Sequence, residues 1–183
     1  MTNALDAPNA TQAPSSFAPG ALYRFLADDH VRLDRLLQRA TATPDALDPT
    51  AYAEFRAGLL KHIGMEEKIL LPAAQAARGG EPLPIAAKLR LDHGAIAALL
   101  VPSPTPKIVA ALRAILAAHN PIEEDPGGLY DVCERLAGDQ VDALLARLRA
   151  APEVPVSPHN DGPRVMPAIC RALERAGYDF ELE

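Results

Sequence analysis

Apolar side chains recur at spacings of three and four residues along four successive stretches of the chain, which is the pattern of amphipathic α-helices. In the first stretch, Leu22, Leu26, Leu33 and Leu37 fall on one face. The four predicted helices span about residues 20–40, 49–77, 81–100 and 105–119. One or two further helical pieces are predicted between about residues 127 and 150, and a last short helix over about 164–176.

Proline and glycine residues separate these stretches. Gly79 and Gly80 follow the second stretch, and three prolines between positions 102 and 106 precede the fourth. Pro72 lies inside the second stretch, where it predicts a kink or an early end of the helix. Because short connections place successive helices antiparallel, the pattern predicts an all-α fold, an up-down-up-down four-helix bundle with a C-terminal helical extension.

Three regions of the chain differ in composition. Residues 1–19 are rich in Ala, Pro, Asn, Ser and Thr and predict a disordered N-terminal tail. Residues 20–150 predict the helical bundle with its short extra helices. Residues 151–183 contain four prolines between positions 152 and 163, and they predict a Pro-rich linker followed by a short C-terminal helix.

Composition and charge narrow the class of protein. Apolar residues make up 49% of the 183 positions, which is enough for a substantial core. A net charge of −6 without a long basic run argues against nucleic acid and against an anionic membrane surface as partners. Since no apolar run of about 20 residues and no signal-like N-terminal segment occur, a cytoplasmic protein is expected. Cys133 and Cys170 have no disulfide or metal-binding spacing, which agrees with a reducing compartment.

Two polar motifs each occur twice within the predicted helices. The first motif is Asp-His, on the first and third helices, and the second is His-x3-Glu-Glu, on the second and fourth. In chain order the four occurrences are Asp29-His30, His62 to Glu67, Asp92-His93 and His119 to Glu124. Four of the five histidines therefore fall one on each long helix.

The helical spacing within these motifs predicts a metal site. Residues i and i+4 lie about 40° apart around a helix, so His62 and Glu66 reach the same point while Glu67 points elsewhere. These side chains lie on or beside apolar faces, where each uncompensated polar group costs a few kcal/mol. A shared metal ion removes this cost, and imidazole with carboxylate is a ligand set of non-haem iron. The predicted metal ligands are His30, His62, Glu66, His93, His119 and Glu123.

Three further polar residues require an interpretation. Asp29 and Asp92 project into the apolar faces, and two alternatives remain open for them. They accept hydrogen bonds from ligand histidines on neighbouring helices, or they pair with a nearby arginine or lysine. His159, in a turn rich in Pro, Asn and Gly, is predicted to be a solvent-exposed loop residue outside the bundle.

The doubled motifs resemble those of the hemerythrin-like HHE cation-binding family, over about residues 22–136. The resemblance implies a four-helix bundle that holds an oxo- or hydroxo-bridged pair of iron ions, or another divalent metal. It also implies that the four histidines are terminal ligands and that Glu66 and Glu123 bridge the ions. Oxygen-carrying members use a fifth histidine four residues after the third-helix histidine, and Ala97 stands there in this chain. The chain therefore resembles the branch with four histidines and two glutamates.

Pro121 leaves the identity of the last ligand open. Proline removes a backbone donor and strains the turn before it. A widened turn at this point would bring Glu124 inward in place of Glu123. Glu123 is the favoured ligand.

Together these features predict a non-haem di-iron protein that binds or senses dioxygen or nitric oxide, or that acts in oxidative or nitrosative stress and iron handling. The alternatives are a di-iron oxidoreductase acting on peroxide, nitric oxide or Fe(II), and a protein of iron storage or iron-centre repair. The motifs favour a binding protein over an enzyme, with a small gaseous ligand as its partner. They do not predict an oligomeric state.

Overall fold

The computed structural model describes residues 18–43, 46–180 and 182 of the chain. Within this part the regular structure is helical, which confirms the predicted all-α class. Its α-helices are α1 (Ala21–Ala40), α2 (Pro49–Met65), α3 (Leu71–Ala77), α4 (Ala86–Leu99), α5 (Pro106–Glu124), α6 (Leu129–Ala137), α7 (Val141–Arg149) and α8 (Val165–Ala176). The predicted disordered tail lies outside the described residues except for its last two positions, so it stays a prediction.

Local sequence signals account for where α2 and α5 begin. The Asp48 carboxylate accepts hydrogen bonds from two backbone N–H groups in the first turn of α2, and the Thr105 hydroxyl accepts one in the first turn of α5. Helix α5 continues through Pro121 to Glu124, beyond the predicted end near His119. Pro121 lies on the exposed side of α5, where water can satisfy the carbonyl that it leaves without a backbone partner.

Helix α2 passes into α3 through a π-helical segment, Glu66–Leu70. In this segment the backbone N–H of Leu71 donates to the carbonyl of Glu66, five residues earlier. The kink or early end predicted at Pro72 takes the form of this one widened turn, and the helix then runs on to Ala77. Widened turns of this kind are rare and frequently occur at functional sites, and this one begins at a predicted metal ligand.

The buried apolar side chains form two clusters, one on each side of a polar layer. The upper cluster contains Leu22 and Leu26 of α1, and the lower cluster contains Leu33 and Leu37 of the same helix, with His30 between them. The other long helices also pass from one cluster to the other, between Leu59 and Met65 of α2, Leu89 and Ile96 of α4, and Ile115 and Ile122 of α5. On each of these four helices, a predicted ligand histidine lies at the boundary between the two clusters.

The remaining helices cover the long ones. Helix α6 packs against α1 and α5, α7 against α1, and α8 against α4. Ile169 and Leu173 of α8 are buried in the lower cluster, so the C-terminal extension contributes to the core. The proline-rich segment before α8 is attached to the helices, because the Arg56 guanidinium donates to the carbonyls of Leu100 and Ser157. In the part of the chain that is described, no helix has both the length and the apolar character needed to cross a membrane.

Candidate metal centre

The six predicted metal ligands meet in the polar layer between the two apolar clusters. All are buried, and the two glutamates are fully so. Their exposed fractions are 7% for His30, 1% for His62, 0% for Glu66, 4% for His93, 3% for His119 and 0% for Glu123. Burial of this many polar groups in one layer requires mutual compensation, since each uncompensated group costs a few kcal/mol.

Glu66 divides its carboxylate between two histidines on different helices. Its Oε1 atom lies 3.2 Å from Nε2 of His62, and its Oε2 atom lies 3.2 Å from Nε2 of His93. The spacing of four residues brings His62 to the same carboxylate, while His93 arrives from α4. Glu66 therefore faces two separate imidazole nitrogens with two separate oxygens.

Glu123 divides its carboxylate in the same way. Its Oε2 atom lies 3.4 Å from Nε2 of His30, and its Oε1 atom lies 3.1 Å from Nε2 of His119 and 3.6 Å from Nε2 of His93. The centre consequently has two halves. The first half contains His30 and His62, the second half contains His93 and His119, and each glutamate gives one oxygen to each half.

Four further carboxylates, the outer ring, surround the centre and orient the four imidazoles. In each case a carboxylate oxygen lies near the Nδ1 atom of a histidine on the next long helix along the chain. The carboxylate on the last long helix contacts the histidine on the first. The contacts are Asp29 with His62 (2.9 Å), Glu67 with His93 (2.7 Å), Asp92 with His119 (3.3 Å) and Glu124 with His30 (2.6 Å). Such contacts fix the ring orientation and leave Nε2 directed inward as a ligand atom.

Both interpretations of the two aspartates apply at once. Asp29 contacts His62 and also accepts a hydrogen bond from Arg32 at 2.6 Å. Asp92 contacts His119 and also accepts one from the Lys88 ammonium at 2.6 Å. The predicted contact with a histidine on a neighbouring helix is therefore confirmed for each aspartate, and so is the pairing with a cationic side chain.

The outer roles of Glu67 and Glu124 were missed by the sequence reasoning. Glu67 points away from the centre, as predicted, but its carboxylate orients His93. Glu124 does not replace Glu123, because α5 keeps its α-helical turn through Pro121 and leaves Glu123 facing inward. The doubled His-x3-Glu-Glu string contained a signal for this arrangement, since adjacent glutamates on one helix face different neighbours.

The ionisable groups in the polar layer shift one another's pKa values. Burial by itself would lower the pKa of His62, His93 and His119, but the nearby carboxylates outweigh it. Glu66 raises the pKa of His62 to about 10, Glu123 raises that of His93 to about 11, and Asp92 raises that of His119 to about 9. Burial raises the pKa of Glu66, and the charge of His62 more than offsets this, so the carboxylate stays ionised. An ionised carboxylate and a neutral imidazole are the forms that bind a metal ion, so a bound ion would displace the protons of these histidines.

Tyr130 of α6 reaches the centre and was not predicted as a site residue. Its hydroxyl is fully buried and donates a 2.7 Å hydrogen bond to Oε1 of Glu66. Burial and the charges of Glu123 and Glu66 raise the pKa of Tyr130 well above its usual value. The only sequence signal was a tyrosine on an apolar helix face, where a buried hydroxyl needs a polar partner. His159, in contrast, is exposed in the segment before α8, as predicted.

The residues present fit a metal centre. Three buried atoms at the centre, Oε2 of Glu66, Oε1 of Glu123 and Nε2 of His93, make no hydrogen bond with the described part of the chain. Their ion-pair contacts, at 3.1–3.6 Å, are with one another and with Nε2 of His119. Two groups of donor atoms, within 4.8 Å of one another in each group, could hold a metal ion, and both groups include Glu123. The second group includes His93 and Glu123, and Oε2 of Glu66 lies 3.2 Å from Nε2 of His93 beside this group.

No known protein that was compared with the chain matches it, so a functional assignment rests on the geometry of the site. The comparison covered protein-family models, curated proteins and solved structures. The arrangement defines a buried centre of imidazoles and carboxylates that could hold metal ions.

Proposed function

We propose that this chain is a hemerythrin-like, non-haem di-iron protein that binds or senses dioxygen or nitric oxide. One observation carries the proposal: each of Glu66 and Glu123 presents one oxygen to the first half of the centre and the other oxygen to the second half. A carboxylate divided in this way suits a bridge between two ions. The ligands would then be the four histidines and these two glutamates.

The chemistry of the donor atoms supports iron. The first group of donor atoms supplies two imidazole nitrogens and two carboxylate oxygens, and the second supplies two imidazole nitrogens and one carboxylate oxygen, with Oε2 of Glu66 3.2 Å from Nε2 of His93 beside it. Structural zinc sites are closed tetrahedra, frequently with sulfur ligands, whereas mixed nitrogen and oxygen donors with open positions suit non-haem iron. Bound there, two iron ions would supply reversible coordination of a small molecule. The chain would hold the ions, orient the imidazoles and exclude bulk water.

The packing supports an up-down-up-down bundle of the four long helices as the scaffold. Along the chain, α1 and α4 run from the upper to the lower cluster. The helix from α2 to α3 and helix α5 run from the lower to the upper cluster. The contacts of α1 with α2 also run in opposite directions, since Asp29 meets His62 and Arg39 meets Glu54. This alternation is the arrangement expected for a hemerythrin-like bundle.

A groove between α1 and α5 supports access by a small uncharged ligand. It has a volume of about 520 Å³, and His30 and Glu124 are among its lining residues. Leu33, Leu37 and Leu116 give it apolar walls, Asp34 and Arg113 add charged side chains, and Ala117 lies at its exposed side. The apolar part of this wall suits a small uncharged ligand such as dioxygen or nitric oxide.

Replacing Ala117 by Trp is expected to slow the binding of nitric oxide to the iron-loaded protein. A barrier of about 1.4 kcal/mol from the indole would reduce the rate about tenfold without changing the iron content. The measurement is stopped-flow absorbance, with Ala118→Trp as the matched control, because Ala118 is exposed on the same helix and does not line the groove. Equal rates for the two variants would contradict access through this groove.

Loading the purified chain with Fe(II) in the absence of oxygen tests the proposed function. We expect about two ions per chain by metal analysis, and an absorption change with dioxygen or nitric oxide that reverses when the gas is removed. Sustained consumption of peroxide, nitric oxide or Fe(II) would favour the oxidoreductase instead. Many more ions per chain would favour iron storage, and a chain that takes up none would refute the di-iron centre.

A further inference from the structure

The hydroxyl of Tyr130 has four close neighbours in the first half of the centre. They are Oε1 of Glu66 at 2.7 Å, Nε2 of His62 at 3.1 Å, Nε2 of His30 at 3.1 Å and Oε2 of Glu123 at 3.2 Å. These four residues are the ones that make up the first group of donor atoms able to hold an ion. Tyr130 thus contacts every donor of one half of the centre.

The spacing of these contacts is that of ligand atoms around a single ion. Donor atoms that bind one ion at about 2.0–2.2 Å, with right angles between neighbouring bonds, lie roughly 3 Å apart. The four distances from the Tyr130 oxygen have this size. The distances between His62 and Glu66, 3.2 Å, and between His30 and Glu123, 3.4 Å, are of the same order.

Hydrogen bonding alone does not account for the arrangement in a loaded centre. A ligand imidazole that donates from Nδ1 to an outer carboxylate presents a lone pair at Nε2, and both His30 and His62 have such a carboxylate at Nδ1. The phenol has one proton, which serves Glu66. The other three neighbours would then direct lone pairs at the phenol oxygen, which is favourable only with a cation among them.

We propose that Tyr130 is a seventh protein ligand of the centre, whose oxygen binds the iron ion held by His30 and His62. This inference rests on the proposed di-iron function. When a ferric ion binds there, the phenol O–H bond is exchanged for a bond between oxygen and iron, and the proton leaves to solvent. The charge of the ion stabilises the resulting phenolate. The second half receives no such oxygen from the described part of the chain, so the two iron ions are unequal.

The visible spectrum of the ferric protein tests the proposal, because phenolate bound to ferric iron produces a charge-transfer band that histidine and carboxylate ligands do not. The full chain is loaded with iron, oxidised and compared with Tyr130→Phe and with Tyr52→Phe. Tyr52 is also buried, but it lies in the lower cluster and its hydroxyl makes no hydrogen bond in the described part of the chain. We expect Tyr130→Phe to lose the band at unchanged iron content and Tyr52→Phe to keep it.

The outcomes distinguish this inference from the proposed function. A wild-type protein with two irons and no such band, or a band that survives in Tyr130→Phe, overturns the ligand role of Tyr130 and leaves the di-iron function standing. A wild-type protein that takes up no iron overturns both. Should Tyr130→Phe fold poorly, resonance Raman spectra of the wild-type protein carrying ring-deuterated tyrosine decide the question. Tyrosinate vibrations that shift with the label support the proposal, and their absence refutes it.

Discussion

Replacing Glu66 by Ala is expected to reduce the iron content from about two ions per chain to one or none, because one side chain supplies a donor to both halves of the centre. The change also removes the acceptor of the hydrogen bond from Tyr130 and the counter-charge beside His62 and His93. Buried groups left without partners cost roughly 1–3 kcal/mol each. Hence the iron-free variant should also unfold at a lower denaturant concentration.

Metal analysis after loading, followed by chemical denaturation, measures both effects of the Glu66 substitution. Glu54→Ala is the matched control, since Glu54 lies on the same helix but is exposed, and its partner is Arg39. An exposed ion pair contributes only about 0–1 kcal/mol, so this control should keep its iron and most of its stability. Full occupancy by two ions in Glu66→Ala would exclude the bridging role.

The inner part of the centre was predictable because it depends on geometry within single helices. A spacing of four residues joins His62 to Glu66 and His119 to Glu123 whatever the neighbouring helices do. The apolar periodicity also predicted the helices well, because a helix can bury one apolar face only if apolar residues recur with the helical period.

The outer ring was harder to predict because it depends on how neighbouring helices are rotated. Glu67 orients His93 of a neighbouring helix, α4. The direction of the Glu67 side chain follows from the π-helical segment that begins at Glu66. A proline at position 72 predicts a disturbance but does not specify its form. Glu124 reaches His30 for the opposite reason, since Pro121 leaves the α-helical turn intact.

Tyr130 could not be assigned from spacing, because it belongs to a helix outside the doubled motifs. Its position depends on how closely α6 approaches the end of α5. Gly128 lies between these helices, with φ −71° and ψ −173°, a conformation open to any residue. What Gly128 provides is space: a Cβ atom there would lie 2.7 Å from the carbonyl oxygen of Ile122 and 2.8 Å from those of Glu123 and Asp125.

Replacing Gly128 by Ala is therefore expected to lower the free energy of unfolding by about 1–3 kcal/mol, the usual cost of overpacking. All three colliding atoms belong to the backbone, so no side-chain rotation relieves them. The segment between α5 and α6 must shift, and Glu123 and Tyr130 stand at its two ends. The variant should consequently also bind iron more weakly than the wild type, because the donors on these two helices no longer meet.

Chemical denaturation of the iron-free protein and iron titration of the folded protein measure the two effects of Gly128→Ala. Gly94→Ala is the matched control, since Gly94 adjoins His93 in α4 and a Cβ atom there meets nothing within 4 Å in the described part of the chain. The control should gain about 0.4–1 kcal/mol, because alanine restricts the unfolded chain. A Gly128→Ala variant as stable as wild type, with unchanged iron affinity, would show that the close approach of α6 is not required to complete the centre.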